Sequence, residues 1–141
     1  MSENLTRFEN LVHQICERPC LYVSQYDIES VAAYLDGFAA ASGPQVQKIW
    51  GDYQRWVEAQ YGVFDSAWHW NHILLYGNGN QRAAIQAIHR LFKDLIEFGT
   101  LPEPPEEWVY EKVRAVRGKG LFSPPNEHPF EKEYPMGDPP P

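Results

Sequence analysis

Proline is nearly missing from the first hundred or so residues, where only Pro19 and Pro44 occur. Cysteine is scarce, with Cys16 and Cys20 alone, and no apolar run approaches the roughly 18 residues that cross a bilayer. Each shortage excludes something. Without a second cysteine pair there is no four-thiolate zinc site, and a spacing of four is not the Cys-x-x-Cys of a redox pair. Two thiols in a reducing compartment stay free by default. Basic residues are also few: 12 against 19 acids, a net charge of -7. A sequence-independent nucleic-acid binder draws its affinity from cations that neutralise phosphates, so this balance argues against one. The opening Met-Ser-Glu-Asn-Leu-Thr-Arg lacks a basic stretch leading into an apolar segment, so a cytoplasmic protein without a signal peptide is expected.

What the chain does hold is apolar and aromatic. Of its 141 residues 43% are hydrophobic, with five Trp, eight Tyr and seven Phe, enough for one folded domain. The apolar residues recur at steps of three and four. Leu5, Phe8, Leu11, Val12, Ile15 and Cys16 mark one face of a first helix, which Pro19 must end. Leu21 to Val23 reads as a short extended segment. Asp27 is placed to cap a second helix striped by Ile28, Val31, Ala32, Leu35, Phe38 and Ala39. Pro44 suits the first turn of a third helix, lined by Val46, Ile49, Trp50, Tyr53, Trp56, Val57 and Tyr61 and stopped at Gly62.

Ser66 is expected to open a short fourth helix through Trp68, Trp70, Ile73, Leu74 and Tyr76, and Gly77-Asn78-Gly79-Asn80 to form a turn. Ala84, Ile85, Ile88, Leu91, Phe92, Leu95 and Ile96 stripe a fifth helix, with Gly99 as a left-handed cap. Pro102 to Pro105 is a stiff connector. Glu106 and Glu107 suit the positive end of a last helix, and Arg114, Arg117 and Lys119 its negative end. Strand-like alternation is nearly absent. The fold class expected is all-α: a single-domain bundle of five or six helices over residues 1–120, and a proline-rich extended tail over 121–141. Phe122, Phe130, Tyr134 and Met136 punctuate that tail, so part of it is expected to pack on the helices or on a partner.

Chemistry is harder to find. No Gly-x-Ser-x-Gly elbow occurs. His13 and Cys16 stand one helical turn apart, but Cys16 falls on the apolar stripe, where a thiol is inert. The Gly-Asn repeat before the fifth helix follows a helix and lacks the lysine of a phosphate loop. His69 and His72 are three apart, so on a helix they share a face, as metal-binding pairs do. They lack the His-Glu-x-x-His spacing and a carboxylate between them, and partly exposed histidines flanked by aromatics are the plainer reading. No catalytic residue, metal or cofactor is expected.

The aromatics of the third helix are explained by packing. Trp68 and Trp70 are not, because they cannot share a helical face: either one lies at the edge of the core or both fill gaps between helices. Tryptophan beside acids serves protein interfaces as an anchor. On this logic the candidate partner contacts are Asp52, Glu58, Asp65, Trp68, His69, Trp70 and His72.

Arg18-Pro19-Cys20-Leu21-Tyr22-Val23-Ser24 resembles the Arg-Pro-x-Met-Tyr-hydrophobic-Gly signature of small bacterial immunity proteins encoded near polymorphic toxins. Leu21 replaces the Met and Ser24 the Gly. Leu35-Asp36-Gly37-Phe38, Tyr53-x-x-Trp56-Val57, Trp68 to Leu75 and Ala84 to Phe98 continue the likeness over about residues 7 to 98. The resemblance implies a non-enzymatic cytoplasmic protein that binds and occludes a cognate toxin domain, which many such systems direct at nucleic acids and make basic. Neither nucleic acid nor membrane is expected as a partner. Two other readings are an adaptor or loading chaperone for a secreted effector, and a metal-dependent enzyme using His69 and His72.

Overall fold

Helix boundaries follow local chemistry closely. The computed structural model describes residues 2–63 and 68–118, and these hold six α-helices and no strand. In α1 (Glu3–Glu17) the Ser2 hydroxyl accepts the Leu5 amide at 3.1 Å, satisfying one of the free donors of the first turn. Pro19 stops the helix as expected; Pro19–Leu21 forms a 3₁₀ turn that takes in the first residue of the segment Leu21–Val23 expected to be extended, and Tyr22 follows it in the right-handed helical region. The Tyr22 and Val23 amides both donate to the Pro19 carbonyl, so backbone bonding closes the segment on itself.

The second helix, α2 (Ile28–Ala40), is capped by Asp27, whose Oδ1 accepts from the Ser30 amide at 2.7 Å. The Ile28 amide donates to Gln81 Oε1 at 2.8 Å, joining the start of α2 to the start of a distant helix. Gly43, at φ 94, turns the chain into α3 (Pro44–Tyr61), with proline in the first turn. Gly62 ends α3 in the left-handed conformation.

The fourth helix, α4 (Trp70–Asn78), begins later and ends later than the sequence pattern indicates. Ser66, its expected start, lies outside the described residues, and Trp68 precedes the helix. Gly77 and Asn78 are helical rather than part of a turn, leaving Gly79 and Asn80 to make the break. Asn80 Oδ1 then accepts the Ala83 amide at 2.8 Å and caps α5 (Gln81–Phe98). Gly99 has positive φ but ψ of −135°, so it is not the left-handed helical cap expected there. The last helix is α6 (Pro105–Gly118). The expected tail packing falls outside the described residues.

Four helices contribute to one aromatic centre. Phe8 of α1, Trp50 and Tyr53 of α3, Trp70 of α4 and Phe92 of α5 meet with ring centroids 4.7 to 5.8 Å apart. Most of the pairs are edge-to-face, the arrangement favoured by ring quadrupoles, while Trp50 and Tyr53 stack. The buried Tyr53 hydroxyl donates to the Ile88 carbonyl at 2.9 Å. A second aromatic contact, Trp56 stacked on Trp108 at 5.8 Å, seats α6 on α3.

Candidate partner-binding surface

The seven expected contact residues separate into three groups. Asp52 and Glu58 are buried, which corrects the expectation that they face outward. Both are paired. Lys48 Nζ lies 2.9 and 3.0 Å from the two Asp52 oxygens, and that hydrogen bond raises the Lys48 pKa. Glu58 is fully buried and accepts from Arg55 Nη1 at 2.8 and 2.9 Å and from Gln54 Nε2 at 3.0 Å. Arg55 continues to Glu106 of α6 at 3.2 Å. Both carboxylates are paired within α3, as a buried charge must be to be tolerated, and their cations reach on to Glu103 and Glu106.

Trp70 belongs to the second group. Only 2% of it is exposed, and it forms part of the aromatic centre. Trp68 is half-buried beside Tyr76 and His72, with centroids 5.5 and 6.2 Å away. The Trp68 carbonyl accepts from Gln54 Nε2 at 2.9 Å, which fixes the approach to α4. One tryptophan is therefore in the core and the other at its edge. Asp65 lies outside the described residues.

His69 and His72 make up the third group, both exposed at the start of α4. They do not converge on a common point. His69 Nε2 lies 3.4 Å from Asp36 Oδ2, and His72 Nε2 lies 3.9 Å from Glu29 Oε1, so each faces its own carboxylate on α2. Asn71 locks the turn between them, its Oδ1 bonded to the His72 amide and to His69 Nδ1, both at 2.9 Å. Asp36 is anchored from beneath, its Oδ1 accepting from Trp50 Nε1 at 2.7 Å.

Glu29 and Asp36 were therefore the residues that sequence reasoning missed. They are seven apart, hence on one face of α2, and that periodicity was the only available signal. Together with His69, His72 and the edge of Trp68 they form an acidic, imidazole-bearing and aromatic surface across α2 and α4.

Nucleophilic chemistry finds no support at Cys16. The residue is buried as its stripe position indicates, and burial pushes the thiol up to about 12 while a backbone hydrogen bond at His89 acts the other way. Among the described residues no group of three or more His, Cys, Asp and Glu side chains is arranged to hold a metal ion. No helix among them is long and apolar enough to cross a membrane. Compared with family models, curated proteins and solved structures, the chain matches none.

Proposed function

We propose that this chain is a non-enzymatic immunity protein that binds a basic toxin domain in the cytoplasm of the producing cell and covers its active site. The observation that carries the reading is the α2–α4 surface, where exposed Glu29 and the tethered Asp36 flank two exposed histidines and the edge of Trp68. Carboxylates on such a surface take the place of substrate phosphates on a basic partner. The net charge of -7 speeds the encounter through long-range attraction. Trp68 supplies the apolar contact that charge alone lacks. The likeness of the Arg18–Ser24 segment to immunity proteins supports the same reading.

The test is recovery of the tagged protein from its native host, with co-eluting proteins identified by mass spectrometry. A near-stoichiometric basic domain whose activity is abolished by this chain is the expected result. A partner that keeps its activity while bound makes the chain an adaptor or loading chaperone instead. Recovery of the protein alone overturns the proposal.

A further inference from the structure

Two of the histidines meet far from the α2–α4 surface. His13 of α1 and His89 of α5 bring their Nδ1 atoms within 3.2 Å of each other across the helix interface, with the rings tilted. Their other nitrogens are both engaged. His89 Nε2 lies 2.7 Å from Glu9 Oε2, and His13 Nε2 lies 3.2 Å from Glu17 Oε1. In the tautomer with the proton on Nε2, facing the carboxylate, each Nδ1 has a lone pair to offer a metal ion.

We propose that His13 and His89 form a two-imidazole binding site for a divalent transition-metal ion of the zinc, nickel or copper type. Ligand nitrogens on a tetrahedral zinc, with bonds of about 2.0–2.1 Å, stand about 3.3 Å from each other. The observed separation matches that bite. Carboxylates on the far nitrogens are the usual supports of metal-bound histidines, orienting the ring and raising its basicity. Glu9 and Glu17 also outweigh the single charge of Arg82, which lines the same cavity of about 630 Å³ with His13, His89 and Gln86. That opening admits the ion and the waters that complete its coordination. Imidazole nitrogens select zinc, nickel or copper over magnesium or calcium, which require oxygen donors. The bound ion ties α1 to α5, and this inference is independent of the proposed partner.

The experiment is calorimetric titration of chelator-treated, full-length protein with zinc chloride, with magnesium chloride as the comparison. One zinc per chain and no magnesium binding are expected. His13→Gln, at a half-exposed position, weakens zinc binding tenfold or more, and Glu9→Gln weakens it by about tenfold. A His69→Gln/His72→Gln double variant keeps the wild-type affinity. In a long-range proton–nitrogen spectrum of the wild-type protein, zinc shifts the Nδ1 signals of both His13 and His89. Absence of zinc binding, unchanged affinity in His13→Gln, or unmoved Nδ1 signals would each overturn the site, and the first would leave a shared proton between the rings.

Discussion

Arg55 reaches the fully buried Glu58 with one terminal nitrogen, 2.8 and 2.9 Å from the two carboxylate oxygens. Its other terminal nitrogen reaches Glu106, so one guanidinium joins the interior of α3 to the first turn of α6. Removing it strands a buried charge. Arg55→Ala is expected to cost about 3 kcal/mol, the lower end of the range for a broken buried pair, because Gln54 still donates to Glu58. Urea denaturation measures this, and a loss below about 1 kcal/mol would show that the pair contributes little. The double change Arg55→Met with Glu58→Leu is expected to restore much of the stability, since an apolar pair carries no desolvation cost.

Two helical glycines respond to alanine with opposite signs. A Cβ on Gly77 would stand 2.5 Å from the Tyr61 ring, whose hydroxyl accepts from Asn78 Nδ2 at 2.8 Å. Gly77→Ala therefore destabilises the protein by about 1–3 kcal/mol, despite the better helix propensity of alanine. Gly37 of α2 faces open space, and Gly37→Ala stabilises by about 0.5–1 kcal/mol. Thermal melting of the two variants gives the signs directly. A stabilised Gly77→Ala would mean that Tyr61 does not pack there.

The two thiols differ in access. Cys20 is exposed and Cys16 buried, so Ellman's reagent should label one thiol per native chain and the second only on unfolding. Rapid labelling of both would contradict the burial of Cys16.

Burial also couples Cys16 to alkaline stability. Its pKa rises from the ordinary value of 9.0 to about 12, so below pH 9 folded and unfolded chains alike keep the proton. Between pH 9 and about 12 the unfolded chain releases it first, and stability falls as pH rises. Tyr53, raised well above its ordinary 10.0 by complete burial, adds to the same decline. Denaturation midpoints across this range should fall less steeply in Cys16→Ala than in the parent protein. Equal slopes would remove Cys16 from the account.

Charge reversal tests the proposed partner surface. Glu29→Lys places a cation at an exposed position in the first turn of α2 and should slow association with a basic partner at low salt about tenfold, at a stability cost of about 1 kcal/mol from the unfavourable helix dipole. Stopped-flow association rates against ionic strength provide the measurement. An unchanged rate at low salt would place the binding surface elsewhere. Glu58→Lys, at a candidate contact that proves to be fully buried, would instead damage the core.

Helix class, order and several boundaries were determined by the sequence alone. Asp27, Pro44, Gly62 and Pro105 act within a turn or two of their own positions, through a capping hydrogen bond, a fixed φ or a left-handed stop, and such effects need no distant partner. The apolar stripes named most of the core for the same reason. The tertiary structure decided the rest. Lys48–Asp52 and Arg55–Glu58 have the spacing of ordinary surface pairs, and only the packing of α3 among its neighbours shows that the carboxylates are buried. Gly77 is an open turn residue until the Tyr61 ring covers it. Glu9 meets His89, and Asp36 meets His69, across separations that no helical period spans. Contacts of that kind arise when separate helices bury their apolar faces together, so their polar edges are placed by the core and not by the local chain.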